Sequence, residues 1–474
     1  MTDSEFDVIV IGAGPSGEVC AGRLAEGELS VALVEQELVG GECSFYACMP
    51  SKGLLRPAQA LAEARRVEGA AQAVTGGPDV AAVLARRDEI VHDLDDSAQL
   101  PWLEDRRIAL FRGHGVLDGE RRVRVGEELL TARRAVVLAA GSAAAMPPID
   151  GLREAEPWTN REATTAKAIP SSLLVLGGGV VAVELAQAYA SLGSRVTIFE
   201  MGERLIGREE LFASEQVREA LEAAGVELVL GVKARSVRRA PASGFGAGSG
   251  SGSDAGARGA VTLELEDGRS FTGEVLLVCT GRKAHTDELG LESVGLEGGK
   301  AIDVDERLRV PGRDWLYVVG DANGRVLLTH MGKYQARLVA DGILGRASSL
   351  RSDGALSPRA IFTEPQVAAV GHTLASARAA GLSVRAVDQE IEANAGGSFV
   401  GHGAPGTARL VLDTERSVIV GATFTGVEVA ESLHAATIAV VAEVPLELLA
   451  HAVPCFPTRS EVWLSLIDQA LHGG

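Results

Sequence analysis

The chain is poor in the features that mark several protein classes. Only five cysteines stand among its 474 residues, too few for a secreted disulfide framework. No uninterrupted apolar run reaches the roughly 18 residues that suggest a membrane span, so no membrane partner is expected. Aromatics make up 4% of the residues, and lysine is so scarce that arginine supplies almost all of the 45 basic side chains. The 64 acidic residues outnumber them and set a formal charge of -19. Such a negative surface repels phosphate backbones, which argues against nucleic acid as a partner. The opening residues, Met1-Thr2-Asp3-Ser4-Glu5, lack the basic stretch of a secretory signal. A cytoplasmic protein is the expectation.

What remains is a globular composition, 46% apolar and 23% charged. At about 100–200 residues per domain, the length suggests two to four domains. The run Phe6-Asp7-Val8-Ile9-Val10-Ile11 reads as a strand. It turns through Gly12-Ala13-Gly14-Pro15-Ser16-Gly17 into a helical stretch, and a second strand, Val31-Ala32-Leu33-Val34, ends at Glu35. The same order returns later. A strand from Leu173 to Leu176 leads into Gly177-Gly178-Gly179-Val180-Val181-Ala182, then a helix, then a strand from Arg195 to Phe199 that ends at Glu200. One glycine turn alone is weak evidence, but two complete strand–turn–helix–strand units, each with its acid, predict two dinucleotide sites. At each site the helix N-terminus faces a pyrophosphate, and Glu35 or Glu200 accepts a hydrogen bond from a ribose. A carboxylate repels a 2′-phosphate, so Glu200 favours NAD(H) over NADP(H), although Arg204 lies close in sequence. Residues 54–100 read as helical and 241–258 as a Gly/Ser/Ala loop. Strands are expected at 122–125, 135–139, 276–278, 315–319, 409–412 and 417–420, with a helix over 427–443.

The block Gly40-Gly41-Glu42-Cys43-Ser44-Phe45-Tyr46-Ala47-Cys48-Met49-Pro50-Ser51-Lys52 follows the first unit. Its cysteines are five apart, with neither the spacing nor the neighbouring His of a zinc site. Thiols near a helix N-terminus and a cation are activated, and Lys52 is the cation at hand. A redox disulfide suits such a pair better than a structural one. Cys20 and Cys279 fall in apolar elements and read as packing residues.

These motifs resemble those of the class I pyridine nucleotide–disulfide oxidoreductases of the dihydrolipoamide dehydrogenase, glutathione reductase and mercuric reductase type. The likeness runs through Thr280-Gly281-Arg282, Gly320-Asp321 and Phe456-Pro457-Thr458-Arg459-Ser460-Glu461. It implies an α/β fold with two Rossmann-like domains, for FAD and NAD, and a C-terminal α+β dimerisation domain. The expected boundaries are 1–150 and 281–355 for the two parts of the FAD domain, 151–280 for the nicotinamide domain and 356–474 for the interface domain of a homodimer. Cys48 is then the thiol beside the flavin, and Cys43 the one that exchanges with substrate. Lys52 lies near the flavin and pairs with Glu184, and Asp321 holds the ribitol. Gly12, Gly14, Gly17, Glu35, Gly141 and Gly320 contact FAD. Gly177, Gly179, Glu200, Gly281 and Arg282 complete the cofactor contacts.

The chain departs from the family at one position. Such reductases carry a His that protonates the departing thiolate, oriented by a Glu. Here Glu461 is kept, but Phe456 stands where the His belongs, and Phe transfers no proton. His451 and Cys455 lie nearby in sequence. Two activities stay open: electron passage between NAD(P)H and a small disulfide or dithiol through Cys43–Cys48, and direct reduction of a quinone-type acceptor. Metal-ion reduction by the thiols, and a redox-dependent binding role, are weaker readings.

Overall fold

The computed structural model describes residues 3–241, 259–347 and 349–473. Most of the expected 241–258 loop therefore lies outside the described residues. The chain divides into two compact units.

The first unit comprises Met1–Pro50, Arg87–Ala145 and Arg282–Gly354. Its centre is a parallel sheet in the order Ala109–Arg112, Val31–Glu35, Asp3–Ile11, Glu128–Leu138, Leu316–Val318. Alternate residues of one strand serve opposite faces. Val8 and Val10 pack beneath the helices Pro15–Glu26 and Thr329–Ile343, while Ile9 and Ile11 join Leu117, Leu130 and Leu316 on the other side. Burial on both faces is why these strands read as continuous apolar runs. The strand Glu128–Leu138 begins well before the expected 135–139. Its first residues, Glu128 to Thr131, pair antiparallel with Arg122–Val125, which in turn pairs with Gly115–Leu117. Gly12, Glu35, Gly141 and Gly320-Asp321 all follow the carboxyl ends of neighbouring parallel strands, the edge where sheets of this kind bind ligands.

The second unit comprises Ser51–Arg86, Met146–Gly281 and Ala355–Gly474. It contains a parallel sheet ordered Glu227–Val229, Arg195–Phe199, Ser172–Leu176, Val275–Val278. Gly177, Glu200 and Gly281 lie beyond its carboxyl ends. A separate antiparallel sheet runs Arg359–Ile361, Gln366–Gly371, Val418–Gly426, Thr407–Asp413, Val384–Glu390. The helices Val429–Val441 and Val462–His472 bury Leu433 and Leu466 in a core shared with Phe424 and Leu410. The strand Val418–Gly426 outruns the expected 417–420 because pairing on both sides buries its glycines and threonines. The expected helical region 54–100 resolves into Cys48–Arg66 and Val80–Ile90, separated by loop and short turns, with further short turns and the helix Leu100–Asp105 after them. Among the described residues, no helix is long and apolar enough to cross a membrane.

Candidate active site

Both glycine turns are built alike. Gly12 and Gly177 have φ of 101° and 112°, in the left-handed region that favours glycine. A Cβ would stand 2.4 Å from the Ala139 carbonyl oxygen in the first and 2.5 Å from the Cys279 oxygen in the second. Gly14 and Gly179 cap the helices Pro15–Glu26 and Val180–Ser191 without any side-chain capping bond. The first-turn N–H groups are thus left for an acceptor from outside the chain. The space beside these two caps is open. No atom lies within 4 Å of a Cβ placed at Gly179, and only the Gly41 Cα, at 4.0 Å, approaches one at Gly14. Each turn fits a diphosphate.

The acids repeat the likeness. Glu35 accepts hydrogen bonds from the N–H of Ala13 and of Glu37, both at 2.7 Å. Glu200 accepts from Gly178 and, at 2.7 Å, from Gly202. Burial raises the Glu35 carboxyl above its ordinary range, against the pull of its two N–H donors. Gly17 seats the first helix, since a Cβ there would strike the Gly12 carbonyl. Asp321 accepts from the Ser142 hydroxyl, which itself accepts from Arg282 Nε at 2.6 Å. Arg282 lies in a short strand, Arg282–Ala284, paired antiparallel with Ser142–Ala144 after Gly141. Its guanidinium is 3.7 Å from both Asp321 and Glu42.

Cys43 sits in the short helix Gly41–Phe45, and Cys48 is the first residue of the helix Cys48–Arg66. Both are free thiols. The Thr329 hydroxyl lies between them, donating to Cys43 Sγ at 3.2 Å and standing 3.6 Å from Cys48 Sγ. Cys48 and burial push the Cys43 thiol up, opposed by Thr329 and the charge of Lys333. Thr329 has no place in the sequence expectations. Its one signal is position, as the first residue of the helix after Gly320-Asp321. Cys20 behaves as the packing residue expected, with burial pushing its thiol up to about 12. Burial does the same to Cys279.

In the second unit, Lys52 Nζ lies 2.7 Å from Glu184 Oε2 and 4.8 Å from the centre of the Phe362 ring. Glu184 is 4% exposed, and its other oxygen accepts from the Phe362 N–H at 2.8 Å. The carboxylate thus fixes the ammonium and a backbone donor together. Glu461 accepts from the Thr458 N–H at 3.3 Å, closing a capping box around a short turn. No imidazole stands at that turn. Phe456 is 77% exposed, and His451 and Cys455 are exposed as well.

Three comparisons bear on this arrangement. The family model for the pyridine nucleotide-disulphide oxidoreductases matches residues 6–336, and that for their dimerisation domain matches 357–467. The chain is 30% identical to a dihydrolipoyl dehydrogenase of Zymomonas mobilis, covering 98% of this chain and 99% of the relative. It is 28% identical to a mercuric reductase of Staphylococcus aureus, covering 97% and 81%. Among solved structures, the Cu(II) complex of the HOCl-induced flavoprotein disulfide reductase RclA from Escherichia coli shares the fold. Its TM-score is 0.83 at 23% identity, covering 98% and 99%.

Proposed function

The chain belongs to the pyridine nucleotide-disulphide oxidoreductase family, and from that premise we propose that it passes electrons between NADH and a small-molecule disulfide or dithiol through Cys43 and Cys48. The family is FAD-dependent. One observation carries the proposal: a single hydroxyl, that of Thr329, is shared by two thiols from separate helices. Inert packing cysteines need no such partner.

The first glycine turn suits FAD. Gly12, Gly14 and Gly17 shape the diphosphate cradle, Glu35 meets the adenosine ribose, and Asp321 meets the ribitol beside Gly141 and Gly320. When bound, the flavin supplies the junction that takes up a hydride's two electrons and hands them on. The second turn suits NADH through Gly177, Gly179 and Glu200. Gly281 and Arg282 are further cofactor-binding residues. Arg204 is held away from a 2′-phosphate role, since it donates to the carbonyls of Glu209 at 2.9 Å and Gly207 at 2.6 Å. NADH is therefore preferred to NADPH. Lys52 and Glu184 act as a fixed ion pair. Residues 1–150 and 281–355 serve FAD, 151–280 serve NADH, and 356–474 form the interface of a cytoplasmic homodimer, with Glu461 near the partner's substrate.

In the exchange, the Cys43 sulfur attacks one sulfur of the substrate disulfide. That S–S bond breaks, a mixed disulfide forms, and one substrate sulfur leaves. Cys48 then attacks Cys43, closing the Cys43–Cys48 bond and freeing the second sulfur. Two electrons leave the cysteines and enter the substrate, and the two thiol protons end on the two products.

Anaerobic NADH titration with thiol counting tests this. Two new thiols per chain are expected, and none in Cys43→Ser. Full flavin bleaching without new thiols would show that the cysteines are bypassed.

A second reading, direct reduction of a quinone-type acceptor, is favoured by the exposed Phe456 at the place of the missing acid. Under the disulfide reading, Phe456→His raises turnover of small disulfides by about 10–100-fold, since general acid catalysis is worth about 10²–10⁴. An unchanged rate favours the quinone.

A further inference from the structure

Glu200 opens a loop, residues 200–210, that is fastened at both ends. One end closes on the glycine turn. Glu200 accepts from the Gly178 and Gly202 N–H groups, and the Ile206 N–H donates to the Gly178 carbonyl at 2.8 Å. The backbone of Gly178 is therefore gripped by this loop through both its N–H and its carbonyl. Ile206 has a φ of 42°, in a region that β-branched residues rarely enter. Such strain persists only where the surroundings fix it, and it gathers at ligand clamps. The other end is fixed by two consecutive carboxylates. Glu209 and Glu210 are 7% and 5% exposed. Arg359 Nε donates to both oxygens of Glu209, at 2.8 and 3.1 Å. Glu210 accepts from the Leu374 N–H at 2.7 Å and from Arg409 Nη1 at 3.0 Å. Arg409 also donates to both oxygens of Asp388 at 2.7 Å and lies 5.0 Å from the centre of the Phe212 ring.

Arg359 and Arg409 stand in the first and fourth strands of the antiparallel sheet, Arg359–Ile361 and Thr407–Asp413. Both lie within the residues that the dimerisation family model matches. Burying two carboxylates costs desolvation energy that apolar side chains filling the same place would not. What charged, hydrogen-bonded pairs add is a fixed direction and distance. We propose that Arg359 and Arg409 are positioning residues for the dinucleotide: through Glu209 and Glu210 they hold the loop 200–210, and with it Glu200 and Gly178, in the shape that receives the adenosine half of NADH. The dimerisation region thus sets nucleotide affinity without touching the nucleotide. Removing either arginine leaves a buried carboxylate unpaired, and the loop relaxes by moving that carboxylate toward water. The strained turn at Ile206 and the grip on Gly178 loosen with it.

The proposal rests on the reading that the second turn receives NADH, and the experiment separates the two. The FAD-loaded protein is titrated calorimetrically with ADP-ribose, which carries the adenosine and diphosphate but no nicotinamide, so no electron moves. Arg359→Leu and Arg409→Leu should each weaken binding about tenfold, within the usual range of coupling between distant sites. Arg359→Lys and Arg409→Lys, which keep the charge, should recover most of that loss, and flavin content should match wild type throughout. Coupling is reciprocal, so in the wild-type protein ADP-ribose should slow hydrogen exchange at the Leu374 amide, the group that donates to Glu210. Leucine variants that melt earlier but bind ADP-ribose as tightly as wild type overturn the proposal, the ion pairs then serving stability alone. Where a leucine variant does not fold, the wild-type exchange decides, and an unchanged Leu374 amide overturns it. Gly177→Ala is the control for the underlying reading. Affinity lost there but kept in the leucine variants removes the proposal only, whereas affinity kept in Gly177→Ala removes both.

Discussion

The two glycine turns are the same backbone device set in different chemistry. In each, a glycine with positive φ meets a carbonyl, an uncapped helix opens onto free space, and a glutamate two N–H bonds deep closes the second strand. They differ one turn into the helix. Where the second unit has Val183, fully buried in the core beside Leu185 and Val196, the first has Glu18 at the matching place. A carboxyl there forms no ion pair among the described residues, and burial raises it to about 7, against the pull of Lys333. The second turn also leaves Val180 and Val181 exposed, an apolar lip suited to a visiting ligand. The backbone of such a turn thus sets what class of ligand is held. The side chains one turn on set whether the site is a passive cradle or also a charged neighbour of the chemistry.

The most forceful way to separate the two turns is to block each. Gly12→Ala and Gly177→Ala both force a Cβ toward a carbonyl, at a cost of about 2–3 kcal/mol in strain and crowding. The first should yield protein that loses its flavin, read from the ratio of visible to ultraviolet absorbance. The second should keep its flavin and weaken NADH binding about 100-fold, or about 2.7 kcal/mol. Flavin loss from both variants alike would erase the distinction between the turns.

A somewhat smaller effect sharpens the contrast at Glu18. Its folded carboxyl holds a proton more tightly than the unfolded one, so the stability is complete below pH 4.5. That contribution is lost as pH rises toward 7. Glu18→Gln should remove this slope and stabilise the flavin-free protein at pH 8 by about 2 kcal/mol relative to wild type. Val183→Gln in the second unit should do the reverse at every pH, costing about 1–3 kcal/mol for a polar group buried in an apolar core. Urea titrations at pH 5 and 8 read both, and parallel curves for wild type and Glu18→Gln would sink the assignment.

The smallest effect concerns the two acids. On the proposed reading, in which Glu200 repels a 2′-phosphate, Glu200→Gln should lower the NADH-to-NADPH ratio about tenfold, or about 1.4 kcal/mol. Glu35→Gln should leave that ratio alone. Steady-state constants for both nucleotides decide it.

Much of this was legible from local signals. The strands that meet Gly12 and Gly177 are short apolar runs, because a sheet covered on both faces admits little else. Glu35 and Glu200 stand at a fixed distance from their turns, and the cysteine spacing lies within a dozen residues. Strand lengths were less legible. Residues Glu128–Ala132 read Glu-Leu-Leu-Thr-Ala, with no clean alternation, and they extend the strand because Arg122–Val125 pairs with them on one side and Asp3–Phe6 on the other.

By itself the sequence determined the two turns, their acids, the thiol pair and the loss of the imidazole at Phe456. Each of these is encoded by residues that are neighbours in the chain. The tertiary structure alone brought Thr329 to Cys43, across 286 residues. It also set Phe362 against Glu184, across 178. Those meetings depend on which helices and sheets pack together, and no local pattern of residue types carries that information.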